Sequence, residues 1–238
     1  MTMEVYNTKV KKCGNIVKVH KYEKPIIRGY KSKRSNKEGC NQASNISEEE
    51  RENRRIKKLY KSRSDFIDII NYNFTTKDIL ITLTYEREED HEVIKYDFDK
   101  FIKKIKYRFG KDIKYGYVKY KQERGVYHYH IVTDINFIEK ETIKKIWSYG
   151  RSQISKIKNV NAIATYMANH INKDTIDKKE YRSKVFQTSR TCIKPNWIYG
   201  EDAENILHTI SKNYKEKFYK KYNTEMYGEM KIITYEID

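Results

Sequence analysis

Residues 125–132 read Gly-Val-Tyr-His-Tyr-His-Ile-Val, and this is the most informative stretch of the chain. It is rich in β-branched and aromatic residues, which predicts a β-strand. Because side chains alternate between the two faces of a strand, His128 and His130 point the same way, a few ångströms apart. Two imidazole rings in that arrangement suit one divalent cation. Two polar residues on a solvent-facing strand would show the same pattern, so the metal interpretation needs support from elsewhere in the chain.

A third metal ligand should come from the neighbouring strand, predicted at 113–121, or from the turn at 122–125. Strand parity selects Tyr120 and Gln122 for the side of the histidines. Glu123 has better chemistry for a hard cation, but it lies in the turn. Gln122 can ligate through its amide oxygen, and oxygen ligands suit Mg²⁺ or Mn²⁺. We place Gln122 slightly ahead of Glu123 as the third ligand.

A tyrosine follows on a helix predicted at about 160–173, with Asn161 as the expected N-cap. At 3.6 residues per turn, one face of this helix is polar and another is apolar and can anchor in the core. The polar face carries Tyr166, Asn169, His170 and Lys173, and the apolar face carries Ile163, Met167 and Ile171.

This helix can present the Tyr166 phenol to the metal. A phenol with a pKa of about 10 is a poor nucleophile at neutral pH until a cation such as Lys173 stabilises its anion. A phenol oxygen roughly 5–8 Å from the imidazole pair would allow one phosphate to touch both groups. The alternative is a half-buried tyrosine on an ordinary amphipathic helix.

The run Ile79–Tyr85 reads Ile-Leu-Ile-Thr-Leu-Thr-Tyr and predicts a central strand. The hydroxyls of Thr82 and Thr84 can contact phosphate, or they can support the histidines from a neighbouring strand. A plain core strand would have the same composition.

The predicted elements follow the order β-α-β-β-α-β plus a helix. This order is typical of a ferredoxin-like, split βαβ fold, an α+β class in which an antiparallel sheet carries helices on one face. We expect an N-terminal extension and basic linker at 1–50, the main domain at 51–200, and a C-terminal segment packed on that domain at 201–238. The predicted elements are a helix from about 51, strands at 79–85, 113–121, 126–133 and 151–157, helices at 98–109, 139–147 and 160–173, a C-terminal helix at 202–212, and a hairpin of 215–222 with 229–236.

The charge balance indicates a polyanionic partner. Fifty basic residues against 33 acidic ones give a formal net charge of +17, which favours phosphate neutralisation and counterion release. Charge alone does not separate DNA from RNA or from an anionic membrane. The three cysteines lack zinc or disulfide spacing, no apolar run is long enough to span a bilayer, and the N-terminus lacks a signal peptide. We therefore expect a cytoplasmic protein without membrane partners.

Together these stretches resemble the HUH endonuclease superfamily, in particular the rolling-circle replication initiators of bacterial plasmids and phages. The likeness covers about 54–200 and depends on the order and spacing of the motifs. The matching segments are Ile81–Tyr85, Arg124–His130, Tyr166 with Asn169, His170 and Lys173, Ile146–Gly150, and Tyr181 followed by Ser189, Arg190 and Pro195.

The resemblance implies a metal-dependent nuclease that nicks and rejoins single-stranded or hairpin origin DNA in a bacterial host, alongside a host helicase and polymerase. His128 and His130 would bind Mg²⁺ or Mn²⁺. Tyr166 would attack the scissile phosphate, keep a 5′-phosphotyrosine link and release a 3′-hydroxyl primer, with Lys173 and His170 assisting. The residues that would contact DNA are Thr82, Thr84, Arg124, Asn169 and Arg190.

The chain departs from this family pattern at three positions. The acidic metal ligand is replaced by Tyr120, the lysine three residues after the tyrosine is replaced by Asn169, and the second tyrosine of some relatives is replaced by His170. The chain is thus of the single-tyrosine type. Two other interpretations stay open: a non-catalytic DNA- or RNA-binding regulator on the same fold, and a transposase or relaxase of the same superfamily. Relaxases usually carry their tyrosine near the N-terminus.

Overall fold

The structure is a computed structural model that describes residues 4–29, 47–122, 125–172 and 186–237. Internal contacts divide the chain into two compact units. We call residues 55–194 the histidine unit and residues 1–54 together with 195–238 the terminal unit. The elements are, in chain order, β1 (Glu4–Cys13), β2 (Ile16–Arg28), α1 (Glu48–Asn73), β3 (Ile79–Tyr85), α2 (His91–Phe109), β4 (Tyr115–Lys121), β5 (Tyr127–Thr133), α3 (Lys140–Ile146), β6 (Gly150–Lys156), α4 (Val160–Asn169), β7 (Phe186–Thr188), β8 (Ile198–Tyr199), α5 (Gly200–Asn213), β9 (Glu216–Thr224) and β10 (Gly228–Glu236).

The histidine unit contains an antiparallel sheet of strand order β6-β3-β5-β4-β7. Strands β3, β4, β5 and β6 with helices α2 and α3 give the order β-α-β-β-α-β, as the sequence predicts. The α+β class with an antiparallel sheet is therefore confirmed. The predicted strand spans agree with the observed ones to within two residues.

Helices cover both faces of this sheet, whereas the sequence predicts them on one. The odd-numbered positions of β3, such as Ile81 and Leu83, pack in one cluster with α2 and α3. The even-numbered Leu80, with Val132 of β5, packs in a second cluster with α1 and α4. The two helices of the split βαβ unit do share one face, and the two additional helices cover the other. Because both faces are covered, all seven residues of β5 are buried.

Helix α4 differs from its prediction at both ends. Its N-cap is Asn159, whose side chain accepts a hydrogen bond from the Ala162 N–H at 2.8 Å. The predicted cap Asn161 instead accepts a hydrogen bond from the Asn71 amide of α1. The helix ends at Asn169, and the next residue, His170, is the C-cap.

The terminal unit contains a second antiparallel sheet, of order β8-β1-β2-β10-β9. Strand β2 pairs with β10, with Ile16 opposite Glu236 and Tyr22 opposite Met230. Helix α5 packs on one face of this sheet through residues such as Leu207 and Ile210. The segments predicted as separate at 1–50 and 201–238 therefore share one sheet, a pairing between distant segments that local periodicity does not encode. None of the helices in the described ranges is long and apolar enough to cross a bilayer.

Candidate functional site

Strand β5 carries the two histidines on the face that α1 and α4 cover. His128 is 7% exposed and His130 is 4% exposed. On the adjacent strand β3, Thr84 lies opposite His128 and Thr82 lies opposite His130. Each threonine hydroxyl lies 3.1 Å from the Nδ1 atom of its partner histidine. Of the two roles open to the threonines, the structure shows the contact that supports the histidines.

These threonine contacts orient both imidazole rings. A metal-bound histidine usually forms a hydrogen bond through its other ring nitrogen, and that bond determines which nitrogen faces the metal. Here the Nδ1 atoms of His128 and His130 contact hydroxyls of their own sheet, which leaves the Nε2 atoms as the metal-facing donors. Two histidine ligands of one cation would be oriented by contacts of the same kind.

Helix α4 brings the Tyr166 phenol to this pair. Met167 and Ala168 are fully buried and anchor the helix in the core, whereas the Tyr166 side chain is 44% exposed. The Tyr166 Oη atom lies 3.1 Å from His130 Nε2. The two groups are at hydrogen-bond distance, closer than the 5–8 Å separation that we expect with a phosphate between them. Tyr166 and the histidines therefore lie on the same side of the sheet.

A second phenol, Tyr120, contacts the same nitrogen atom. Tyr120 lies opposite His128 on strand β4, and its Oη atom is 3.2 Å from His130 Nε2. Its ring stacks on His170, with centroids 4.0 Å apart and planes inclined by 11°. Strand parity places Tyr120 on the histidine side of the sheet, but it does not indicate that the phenol contacts His130. Its position directly opposite a histidine is the signal that identifies it.

His170 lies within the same cluster. Its ring centroid is 5.0 Å from that of His130 and 5.0 Å from that of Tyr166. Burial lowers its pKa below the ordinary histidine value, so the ring is neutral at pH 7. A neutral imidazole next to a phenol can accept the phenolic proton.

The predicted third metal ligand, Gln122, lies at the end of β4. Its N–H donates to the Val126 carbonyl at 2.9 Å and closes the turn before β5, and its side chain hydrogen-bonds to the Tyr120 phenol. Glu123, Arg124 and Lys173 lie outside the described residues. Within the described ranges, no three histidine, cysteine or acidic side chains converge as a metal cluster.

The donor set of this site therefore consists of two imidazoles with neutral oxygen donors. It fits a divalent cation that accepts nitrogen ligands, and it offers no carboxylate from the described part of the chain. Mg²⁺ prefers carboxylate and water oxygens, whereas imidazole ligands suit transition metals. Mg²⁺ and Mn²⁺ both stay predictions for this site.

Burial and neighbouring rings shift the pKa values of the cluster. Burial, then the neighbouring His170 and His128 rings, lowers the pKa of His130 to about 4. The ring is therefore neutral at physiological pH, which is the form that binds a metal. Burial raises the pKa of the Tyr166 phenol, so that phenol stays protonated at neutral pH without a cation nearby. The structure does not test whether Tyr166 acts as a nucleophile, so that role stays a prediction.

Asn169, predicted to contact DNA, has a partner that sequence reasoning missed. The Arg63 guanidinium of α1 donates a hydrogen bond to the Asn169 side-chain oxygen at 2.6 Å. The two residues are 106 positions apart in the chain, so no local pattern connects them. The basic helix α1 thereby reaches the polar face of α4.

Arg190, also predicted to contact DNA, is not brought to the histidine pair. It is exposed in the turn after β7. Strand β7 pairs with the start of β4, where Thr188 lies opposite Gly116, whereas Tyr120 is four residues further along. Four residues of a strand span about 13 Å. A DNA contact by Arg190 would therefore lie away from the site.

The histidine unit matches a known family of proteins. Residues 78–175 match the model of the family described as Replication-associated protein ORF2. The matched segment is less than half of the chain, and it contains His128, His130, Tyr166 and both threonines. The comparison with curated proteins and the comparison with solved structures found no match. The segment that builds the site is thus similar to replication-associated proteins.

Proposed function

We propose that this protein is a replication initiator that nicks and rejoins single-stranded DNA through Tyr166. The observation that carries the proposal is the 3.1 Å separation between the Tyr166 Oη atom and His130 Nε2, across two elements of the fold. A phosphodiester bound in front of the histidine pair would meet the phenol of α4. The match of residues 78–175 to a replication-associated family supports the same role.

His128 and His130 would hold the cation, with the Gln122 amide oxygen as the third protein ligand. The bound cation would supply a positive charge that polarises the scissile phosphate. The two threonines keep both imidazoles oriented, and the buried residues of α4 keep the phenol at the site. Such fixed geometry supplies the proximity contribution to the rate.

The chemical step exchanges one phosphate ester for another. Tyr166 Oη forms a bond to phosphorus, the bond to the 3′-oxygen of the preceding nucleotide breaks, and that oxygen leaves to become a 3′-hydroxyl. His170 accepts the phenolic proton, and the departing 3′-oxygen takes a proton from solvent water. In the reverse step a 3′-hydroxyl gives its proton to solvent as it attacks the phosphotyrosine, and His170 returns the proton to Tyr166. The energy of the phosphodiester is kept in the protein–DNA bond, so the strand can be resealed without a further cofactor.

The test uses a radiolabelled pool of random-sequence single-stranded DNA, incubated with the full chain and Mn²⁺. We expect a labelled protein band that survives denaturing electrophoresis, and sequencing of the captured DNA then gives the recognised site. The Tyr166→Phe variant should form no such band. Tyr107→Phe is the matched control, because this tyrosine is 95% exposed on α2 and its loss should change nothing.

A non-catalytic single-strand-binding regulator is the second candidate, since Tyr120 occupies the position of the acidic ligand and the described site has no carboxylate. Such a protein would bind the pool in a salt-sensitive manner. Binding without a covalent band, equal in the wild type and in Tyr166→Phe, would favour this candidate and contradict the nicking function.

A further inference from the structure

Helices α1 and α4 of the histidine unit pack side by side in opposite directions. Two side-chain contacts connect them: Arg63 to Asn169 at 2.6 Å and Asn71 to Asn161 at 2.9 Å. The contacts are eight residues apart on each helix, which corresponds to about 12 Å along both axes. The matched spacing aligns the two helices in register and holds Arg63 at the C-terminal end of α4.

This placement puts a guanidinium about one helical turn along α4 from the proposed nucleophile. Asn169 is three residues after Tyr166, and side chains at that spacing are neighbours on one helix face. Asn169 and Tyr166 are both exposed, and Arg63 is half-buried. The guanidinium that contacts Asn169 therefore lies at the exposed helix face that also carries the phenol.

Arg63 is held in place by neutral groups. Its side-chain contacts within the described ranges are the Asn169 amide oxygen and the Tyr60 ring, whose centroid is 5.9 Å from the guanidinium carbon. No carboxylate of the described residues forms an ion pair with it. A guanidinium has five N–H donors in a planar fork that matches two phosphate oxygens. An oriented arginine that forms no ion pair within the described part of the chain is suited to an anionic ligand.

We propose that Arg63 binds the phosphate on which Tyr166 acts, with Asn169 positioning its guanidinium. This inference rests on the proposed function and deepens it, since it assigns to α1 a positive charge at the polar face of α4. The exposed Tyr60, 62% accessible on the same helix, offers a ring on which an adjacent unpaired base can stack. The substrate class is a single-stranded nucleic acid with its backbone across α1 and α4.

The test compares Arg63→Ala with Lys61→Ala, both in the full-length chain. Lys61 is exposed on the same helix and lies about 200° around the helix axis from Arg63, so the control removes one equal charge from the opposite side. With the random DNA pool, Arg63→Ala should form the covalent adduct about 10²-fold more slowly than the wild type, as for the loss of one transition-state donor. Lys61→Ala should stay within about twofold.

A variant that moves the positive charge from Arg63 to position 169 tests whether Arg63 contacts a phosphate or only supports the fold. In the double variant Arg63→Ala with Asn169→Lys, a lysine one turn from Tyr166 should recover at least about tenfold of the lost rate, since the charge returns to the same place. Thermal melting of each variant shows that the folded state is present. A double variant no faster than Arg63→Ala would overturn the proposal.

Affinity provides a readout that does not depend on cleavage. In a Tyr166→Phe background, Arg63→Ala should reduce the slope of log affinity against log salt by about 0.7, the contribution of one phosphate contact on a single strand. If the wild-type protein forms no covalent adduct, only the nicking function is contradicted. The salt dependence of DNA affinity then shows whether Arg63 contacts a phosphate. If Arg63→Ala and Lys61→Ala behave alike in both measurements, the phosphate contact of Arg63 is contradicted and the nicking function is not.

Discussion

Both sheets of this protein have five antiparallel strands, but the strands of the two sheets are buried to different extents. In the terminal unit the edge strand β9 is exposed at all positions but the last, and α5 packs on one face of the sheet. In the histidine unit the central strand β5 is buried at all seven positions, between helices on both faces. The strand with the greatest burial carries the two histidines.

Burial of two imidazoles is costly unless their polar atoms have partners. His130 has three such partners: the hydroxyls of Thr82, Tyr120 and Tyr166. His20 in the terminal unit is half-buried and packs its ring on Trp197, 4.6 Å away. The comparison shows that His130 lies in a fully covered strand with hydroxyls at both ring nitrogens, whereas His20 lies in a partly covered strand and packs on an aromatic ring. We therefore place the proposed site at His130.

Replacing the central histidine should have the largest effect. His130→Gln removes a proposed cation ligand and the partner of Tyr166. The loss of several kcal/mol of charge stabilisation should slow adduct formation about 10³-fold. His20→Gln in the terminal unit is the control and should form the adduct at the wild-type rate. Equal rates for the two variants would remove the distinction between the two histidines.

Truncating the helix anchor should have the next largest effect. Met167 is fully buried under α4, so Met167→Ala should lower the free energy of unfolding by about 2–4 kcal/mol and slow adduct formation by loosening Tyr166. The control is Leu207→Ala in α5, where the leucine is 6% exposed. This variant should destabilise the terminal unit, but its folded fraction should form the adduct at the wild-type rate. Urea denaturation and adduct kinetics measure the two effects, and a normal rate in folded Met167→Ala would contradict the anchoring role.

These anchors show how much of the site could be predicted from the sequence. Period-2 alternation predicts that His128 and His130 share a face, and helical periodicity predicts that Met167 lies on a different, apolar face of α4 from Tyr166. Both predictions depend only on the geometry of one element. The contact of Arg63 with Asn169 and the pairing of β2 with β10 join segments more than 100 residues apart, and packing rather than periodicity determines them.

Removing a threonine hydroxyl should have a smaller effect, on the affinity of the proposed site for its cation. Thr82→Val keeps the shape of the side chain and removes the hydroxyl 3.1 Å from His130 Nδ1. Loss of such an orienting hydrogen bond should weaken Mn²⁺ binding about 10- to 100-fold. Calorimetric titration with Mn²⁺ measures the change, with Thr209→Val on α5 as the control. Unchanged affinity in Thr82→Val would show that the hydroxyl does not orient a metal ligand.

The helix caps should give the smallest effect. The Asn159 side chain caps α4, whereas the N-cap of α5, Tyr199, makes no side-chain capping bond. Asn159→Ala should therefore lower stability by about 1 kcal/mol, and Tyr199→Phe should leave it unchanged. A thermal melt of each variant measures the difference. Equal melting temperatures would mean that the cap contributes nothing to the position of α4.

Two phenols contact the same nitrogen of His130, and only one of them is expected to react. Tyr166 lies on the exposed polar face of α4, whereas Tyr120 stacks against His170. Proteolysis of the covalent adduct formed with the DNA pool and Mn²⁺, followed by mass spectrometry, identifies the modified residue. The account predicts a nucleotide remnant on the peptide that contains Tyr166. A remnant on the Tyr120 peptide, or the absence of any nucleotide-bearing peptide, would contradict it.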